Sequence, residues 1–594
     1  MCGINGQISL SKPIVLLEFN ARRDTLQHRG PDDAHTWISD NERIALGHRR
    51  LSLLDLSSAG RQPMSNEDGT LWLTFNGEIY NYLEIRKILQ QKGHIFKSTT
   101  DSEILLHGYE EWGVEILQRL KGMFAFGIWD EKKQQLFLAR DRFGIKPLYY
   151  GWLGDQFYFA SELKAIIYSL PSKPNLNRAA ICDYLAYRFV PSPYTIWQDL
   201  YKIHPAHYLL LDFNNNGRTI ETIQYWNLTT TRHKVNDTDA ILKVHELIET
   251  SVKEHLRSDI RIGAFLSGGY DSSALVYYMT QQKYPVKTFS IGFENWEQSE
   301  HHAAKIVSDH LNVENYNTIV GDEQLDLVDK LVYHYDEPIA DISIIPTYLV
   351  SQLARQHTKA VFSGEGADEI FAGYTWQKNI AKYNKRNTYL AFIGGLYNKA
   401  NNIFVERYAE AMAMGRFNTS NLSQYLHPEM QPYLPRNSEW FYKKYYHVFD
   451  SPLKSFQYLD IKSFMAELVL TKIDRASMAH SLEVRVPFLD HELVEYLYNL
   501  HENVYFKKGI TKYLLRSIIK NVLPATILQR QKQGFVGPDR YYMNIDWYAK
   551  HLSGSRLVKE KIIRAEAIII LLQQKDHWRL WKLVVLEKWL QVWY

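Results

Sequence analysis

IRIGAFLSGGYDSSALVYYM, residues Ile260 to Met279, reads as a strand, a glycine-rich turn and the start of a helix. Ligands in open α/β sheets bind beyond the carboxyl ends of strands. Within SGGYDSS, Gly268 and Gly269 let the backbone wrap closely around an anion. The hydroxyls of Ser267, Ser272 and Ser273 can donate to phosphate, and a helix N-terminus favours negative charge. Asp271 is an acid inside a phosphate cradle, which makes sense where Mg²⁺ bridges it to phosphate. The GKS or GKT of a Walker A loop is missing. A glycine pair capped by Ser or Asp starts many helices. The full S-G-G-x-D-S-S string between a strand and a helix points further, to nucleotide phosphate.

Outward from this stretch the pattern alternates. ILKVHELIETSVKEHL before it has the apolar spacing of an amphipathic helix. After it come the strand VKTFSIGF, the helix EHHAAKIVSDHL and the strand KAVFSGEGADEIFAG, which carries a second glycine-rich turn. Strands alternating with helices predict a doubly wound parallel sheet. Beyond about Tyr374 the chain reads as helical and aromatic, without strand alternation. The first 210 or so residues are instead rich in short strands such as LWLTFNGEIY and QQLFLAR. HYLLLDFNNNGRTIETIQYW predicts a hairpin turning at Asn216-Gly217. TTTRHKVNDTD is polar and unpatterned and reads as a linker.

With 594 residues the chain exceeds the ~250–300 that one core supports, so at least two domains are expected. Hydrophobic content of 45% and charged content of 23% are those of a globular chain. Net charge is +3, from 69 basic and 66 acidic residues, which gives no global case for nucleic acid or an anionic membrane. Cys2 and Cys182 are the only cysteines, too few for a disulfide framework, which fits a reducing cytoplasm. No signal peptide is read at the N-terminus. The apolar run AIIILL is far short of the ~20 residues that span a bilayer.

One of those two cysteines stands directly behind Met1, in MCGINGQ. Removal of Met1 would put a free α-amine, titrating near ~8, beside the thiol. A base next to a sulfur nucleophile is the usual way to activate one.

Together these segments carry a resemblance. MCGI, RGPDD, RRLSLLD, NGEIYN, GMFAFGIWD, RDRFGIKPLYY, FASELKA, SGGYDSS, SGEGADEIFAGY and DRASMAHSLEVRVPFLDHELVE follow the order of the glutamine-hydrolysing asparagine synthetases over essentially the whole chain. The resemblance implies an N-terminal-nucleophile αββα sandwich over residues 1–212. It implies an ATP-pyrophosphatase domain with a helical C-terminal part over residues 236–594.

In the first domain it implies Cys2 as nucleophile on glutamine, with the Asn76 side chain and Gly77 N–H as oxyanion donors. Glu78 and Asp101 would hold the α-ammonium, and Arg50 the α-carboxylate. Arg49 is adjacent, but the family places the arginine directly before Leu-Ser. In the second domain it implies that aspartate attacks ATP to give β-aspartyl-AMP and pyrophosphate, and that ammonia from the first site displaces AMP. The ATP site would include Leu266, Ser267, Gly268, Gly269, Asp271, Ser272, Ser273, Ile291, Ser363 and Gly364. Asp271 and Asp368 would hold Mg²⁺, Arg475 and Lys512 would meet phosphate, and Glu365 would take the proton from ammonia. Glu369 is expected to orient or support, and Asp474 and Tyr374 to border the acceptor. A homodimer is the default assembly. The stretch Lys378–Leu459 has no readable motif and could shape the acceptor pocket. The same chemistry on another carboxylate (of a sugar, peptide or natural-product acid) is the alternative.

Overall fold

The computed structural model describes residues 2–215, 221–230, 235–377, 397–447, 449, 451–530 and 534–594. The N-terminal half stacks two antiparallel six-stranded sheets. In spatial order the first is Leu200–Lys202, Tyr149–Leu153, Gln156–Ala160, Gly3–Ser9, Ile44–Arg50 and Asp33–Ile38. The second is Thr222–Gln224, His207–Asp212, Gln135–Arg140, Gly122–Asp130, Leu71–Ile79 and Met64–Ser65. Alternation along the strands puts Ile4, Ile8, Leu46, Trp129, Leu138 and Phe159 between the sheets. The opposite residues of the second sheet, among them Leu73, Phe75 and Phe126, pack on the helices Tyr82–Gln91 and Glu103–Trp112. The helix Leu16–Asp24 lies on the first sheet. The result is the expected αββα sandwich. Its edge strand Thr222–Gln224 pairs with His207–Leu209, so the sandwich continues past the expected boundary at 212. The predicted turn at Asn216-Gly217 lies outside the described residues.

The C-terminal half contains a five-stranded sheet in the order Glu314–Val320, Lys287–Phe293, Ile262–Phe265, Ala360–Phe362, Glu483–Arg485, with every pair parallel. The chain leaves the central strand Ile262–Phe265 toward both edges, so the strand order reverses there. That switch point opens a crevice at the carboxyl ends, directly below SGGYDSS and SGEGADE. Two strands differ from the sequence reading. Glu314–Val320 is a half-exposed edge with a polar sequence. Glu483–Arg485 is only three residues long and two of them are charged, so no apolar run marks it inside a segment expected to be strandless.

The halves share one continuous apolar core, in which Leu26, Leu51, Met123 and Tyr149 join residues of the parallel-sheet half. No helix among the described residues is long and apolar enough to cross a membrane.

Candidate active sites

Cys2 precedes the central strand Gly3–Ser9 of the first sheet. Its backbone nitrogen donates to Asn76 Oδ1 at 2.9 Å. That leaves the Asn76 amide nitrogen buried with no hydrogen-bond partner. A buried donor without a partner is costly, and it is the kind of group an oxyanion needs. A Cβ on Gly77 would stand 2.1 Å from the Met123 carbonyl oxygen, so the neighbouring strand tolerates only glycine there. Burial pushes the Cys2 thiol up, and the Leu51 backbone and Arg50 offset part of this. The thiol therefore needs a base rather than being a thiolate on its own.

Arg50 is buried and donates to the carbonyls of Leu54, Asp55 and Ser57. Its neighbour Arg49 points to the opposite side of the strand and reaches Gly30 O and Asp24. Of the two arginines, Arg50 is the one close enough to act on the Cys2 thiol. Asp101 Oδ2 accepts the Ile79 N–H at 2.7 Å, and Glu78 lies 3.1 Å from Arg485 Nη2. Burial pushes Asp101 up to about 6 despite the Ile79 bond. Burial also drives Glu78 well above the usual range, with Arg485 opposing. Glu483 faces the same burial, but Arg485 and Lys146 pull it down. Glu78, Asp101 and Glu483 thus form a buried cluster of acids around Arg485.

The two halves are joined by buried charge. Arg29 donates to the Cys2 carbonyl at 3.0 Å, to Glu162 at 2.8 Å, and through both terminal nitrogens to Asp474 at 2.9 and 3.1 Å. Arg475 sits 2.8 Å from Glu162 and 3.2 Å from Asp336, and donates to the Tyr149 hydroxyl at 3.1 Å. This corrects two expectations. Arg475 faces the sandwich domain rather than phosphate, and Asp474 is an interdomain anchor rather than an acceptor contact. Successive residues on a helix point about 100° apart, so the face carrying Lys472 reaches the crevice while Asp474 and Arg475 turn to the interface. Arg485 is a third connector: it lies 3.1 Å from Glu78 of the sandwich while donating to Glu483 at 2.6 Å and to the carbonyls of His255 and Arg257 at 2.5 and 2.8 Å in its own half.

The crevice at the strand ends holds a cavity of about 330 Å³. Leu266, Ser267, Asp271, Ser272, Ile291, Ser363, Gly364, Glu365, Asp368 and Tyr374 all line it. A smaller cavity of about 90 Å³ adjoins it and is lined by Gly268, Gly269, Lys512, Arg516 and Arg530. Gly268 has a φ of +71°, and a Cβ there would collide with Ala303 at 2.5 Å. The loop is braced internally, with Ser267 and Ser272 hydroxyls 3.1 Å apart and the Ser267 hydroxyl accepting the Gly269 N–H. Ser273 is fully buried and lines neither cavity. It is a correction to the expected phosphate donors, since its place in the helix turns it to the core.

Lys512 bridges Asp271 and Asp368, the latter at 2.7 Å. Both acids oppose the burial penalty and keep Lys512 above its ordinary range. Gly373 makes room, since a Cβ there would lie 2.1 Å from Asp368 Oδ1 and 2.3 Å from Lys512 Cε. The two predicted metal carboxylates and the predicted phosphate cation thus meet at one point. Two oxygen donors of this type suit Mg²⁺. Arg516 stacks on Tyr270 at 4.4 Å and Arg530 donates to Ser267 O at 3.1 Å, so both add positive charge that the sequence reading missed. Arg516 follows Lys512 by four residues, a spacing that could have revealed it. Glu365 lies 3.5 Å from Lys472. Glu369 is buried behind the site, accepts the Tyr374 hydroxyl at 2.7 Å, and is pushed up to about 7 by burial and Asp368. That matches a supporting role. From Lys378–Leu459, Met414 alone among the described residues lines the large cavity.

The family model of asparagine synthase matches residues 243–591, and that of a glutamine amidotransferase domain matches residues 1–226. Asparagine synthetase (glutamine-hydrolysing) 1 of Bacillus subtilis is 34% identical over 543 residues, covering 87% of this chain and 83% of the relative. Putative asparagine synthetase (glutamine-hydrolysing) 2 of Methanocaldococcus jannaschii is 39% identical over 401 residues, covering 64% and 76%. A more distant relative, named amidase chry2, of Gibberella zeae is 26% identical over 609 residues, covering 91% and 90%. The chain belongs to the asparagine synthase family, with a glutamine amidotransferase domain ahead of the synthase domain.

Proposed function

We propose that the protein is a carbon–nitrogen ligase that makes asparagine from aspartate, with glutamine as nitrogen donor and ATP as the energy source. The observation that carries the reading is the meeting of Lys512, Asp271 and Asp368 at the mouth of SGGYDSS. It is matched by Cys2 bonded to Asn76 in the other half.

In the glutaminase half, the Cys2 thiol loses its proton to the α-amine exposed by removal of Met1 and attacks the glutamine amide. Asn76 and the Gly77 N–H donate to the developing oxyanion. Arg50 holds the α-carboxylate, and Glu78 and Asp101 hold the α-ammonium. The α-ammonium so formed on Cys2 returns its proton to the departing nitrogen, ammonia leaves, and water, giving its proton to the same amine, attacks the thioester to release glutamate and restore the thiol. In the synthetase half, Ser267, Ser272, Gly268 and Gly269 cradle the phosphates, with Lys512, Arg516 and Arg530 opposing their charge. Leu266, Ile291, Ser363 and Gly364 border the adenosine. Asp271 and Asp368 would hold the Mg²⁺ that accompanies ATP and shields the phosphates from the attacking carboxylate. The β-carboxylate of aspartate displaces pyrophosphate, giving β-aspartyl-AMP. Ammonia then attacks the acyl carbon, Glu365 accepts the proton it sheds, and AMP departs.

Incubation with glutamine, aspartate and MgATP tests this, read by mass spectrometry. Equal amounts of asparagine, AMP and pyrophosphate support the reading. Glutamine hydrolysis with neither AMP nor asparagine assigns the machinery to another carboxylate acceptor.

A further inference from the structure

Away from both reaction sites, the outer side of the sandwich gathers two imidazoles and a carboxylate. Glu67 stands in the turn before the strand Leu71–Ile79, His94 in the connection between the helices Tyr82–Gln91 and Glu103–Trp112, and His107 in the second of those helices. One ligand atom from each lies within 4.8 Å of the other two. No sequence motif marked them, since the fold assembles them from three separate segments. None of the three lines the crevice cavities.

The side chains are oriented from behind. His107 is 1% exposed, which sets it apart from the acids of an ordinary solvated helix face. Its Nδ1 lies 3.1 Å from Glu110 Oε2 and 3.5 Å from Glu67 Oε2. His94 Nδ1 lies 3.7 Å from the same Glu110 oxygen. The second oxygen of each acid is engaged elsewhere. Glu110 Oε1 accepts from Asn66 Nδ2 at 2.8 Å, and Glu67 Oε1 accepts the Ile95 N–H at 3.2 Å. Both inner oxygens are thereby left toward the rings.

Each ring has a carboxylate at its far nitrogen. His107 Nε2 is buried without a hydrogen-bond partner, 3.7 Å from Glu103 Oε1. Glu103 is itself fixed by the N–H groups of Lys97 and Ser98 at 2.7 and 2.8 Å. His94 Nε2 lies 3.6 Å from Glu111 Oε2. One nitrogen inward and the other toward a carboxylate is how metal-bound histidines are held. Phe96 packs against the cluster, its ring 4.6 Å from that of His107.

Two nitrogen donors and a carboxylate oxygen disfavour Mg²⁺ and Ca²⁺, which take oxygen, and suit Zn²⁺. Bonds of about 2.1 Å to a tetrahedral ion set ligand atoms about 3.4 Å apart. The separations of 3.1, 3.5 and 3.7 Å stand close to that. Exposed Glu67 and half-buried His94 have the room to close wider gaps around the fixed His107.

We propose that Glu67, His94 and His107 bind one Zn²⁺-like divalent ion, with Glu110 Oε2 at hand as a fourth donor. The ion would staple the connection 92–102 to the helix behind it and to the turn holding Glu67. That connection carries Asp101, whose Oδ2 accepts the Ile79 N–H, so the staple braces the glutaminase half without touching its reaction.

The untagged full chain, stripped with a chelator, is titrated with Zn²⁺ against a chromophoric competitor, and bound metal is counted by elemental mass spectrometry. One zinc per chain is expected, with a Kd of about 1 μM or tighter. His94→Ala and Glu67→Gln should each weaken binding at least about 100-fold, beyond the usual loss for an outer partner, while their circular dichroism matches that of the stripped wild type. Zinc should slow hydrogen exchange across 92–102 in the wild type and leave both variants unchanged. Cys2→Ala should keep its zinc, since the catalytic thiol is the competing ligand for such an ion. No stoichiometric zinc in the wild type, or zinc retained at full affinity by both variants, overturns the site. Zinc lost with Cys2→Ala but kept by Glu67→Gln assigns the ion to the nucleophile and overturns it equally. Glu67 is exposed, so its variant decides the matter even where His94→Ala fails to fold.

Discussion

The two candidate sites are assembled by different physics. Around Cys2, polar groups are fixed by backbone partners: Asn76 by the Cys2 nitrogen, Asp101 by the Ile79 N–H, Arg50 by three carbonyls. Strand pairing sets the positions of Asn76 and Arg50. Around SGGYDSS, charge is fixed by charge. Lys512 is spent on Asp271 and Asp368, the residues proposed to hold Mg²⁺. Accommodating a triphosphate there means exchanging ion-pair partners. A site built on backbone geometry is rigid but hard to tune. A site built on ion pairs that a ligand can displace couples its entry to rearrangement, at the cost of desolvating each charge again.

The largest effects should separate the sites outright. Cys2→Ala removes the nucleophile, so glutamine-dependent hydrolysis should fall by more than about 10³-fold while ammonia-dependent AMP formation stays. Loss of both activities would break the comparison, since the sites would then not be separable. Lys512→Met removes the central cation of the second site. AMP formation should fall by about 10²–10³-fold, the usual loss for one charge-stabilising group, with glutaminase activity retained. An effect below tenfold would mean that Arg516 and Arg530 carry the phosphate charge instead.

What the sequence revealed follows the same division. SGGYDSS and NGE were legible because the chemistry is contiguous: a loop or strand places neighbouring residues together whatever the rest of the chain does. Arg29 and Arg485 were illegible because their partners are remote. Arg29 meets Asp474 across 445 residues, and Arg485 meets Glu78 across the two domains. Arg475 and Ser273 were misplaced for a shared reason. Each lies beside true lining residues in sequence, but helical rotation turns it from the crevice to the core or the interface. The αββα sandwich followed from resemblance more than from pattern. The parallel sheet was half readable, since its edge strands Glu314–Val320 and Glu483–Arg485 lack the apolar runs that mark central strands.

Arg29 tests whether the sites are truly separate. It holds the Cys2 carbonyl with one nitrogen and Asp474 of the other half with two. Arg29→Met leaves Glu162 and Asp474 buried with one fewer cation, a change that costs about 3–5 kcal/mol at such sites. Urea unfolding should show that loss, and glutamine-dependent synthesis should fall further than either half-reaction alone. A loss of stability with undiminished coupling would make the network structural only.

The smallest effect is also the most specific to the backbone-built site. Burial raises Asp101 to about 6, above the ~3.9 of an unfolded aspartate. For folding, such a group stabilises most below about pH 4 and loses that contribution as pH rises through about 6. For glutamine the sign is opposite, because only the ionised carboxylate attracts the α-ammonium. Glutaminase kcat/KM should therefore fall as pH drops below about 6, approaching tenfold per unit. The bound ammonium itself favours ionised Asp101, so kcat should bend at lower pH than kcat/KM. Asp101→Asn should lower kcat/KM at neutral pH and flatten the acid limb. An acid limb that survives the substitution belongs to Glu78 or to the thiol pair at Cys2, and the proposed hold on the ammonium then passes from Asp101 to Glu78.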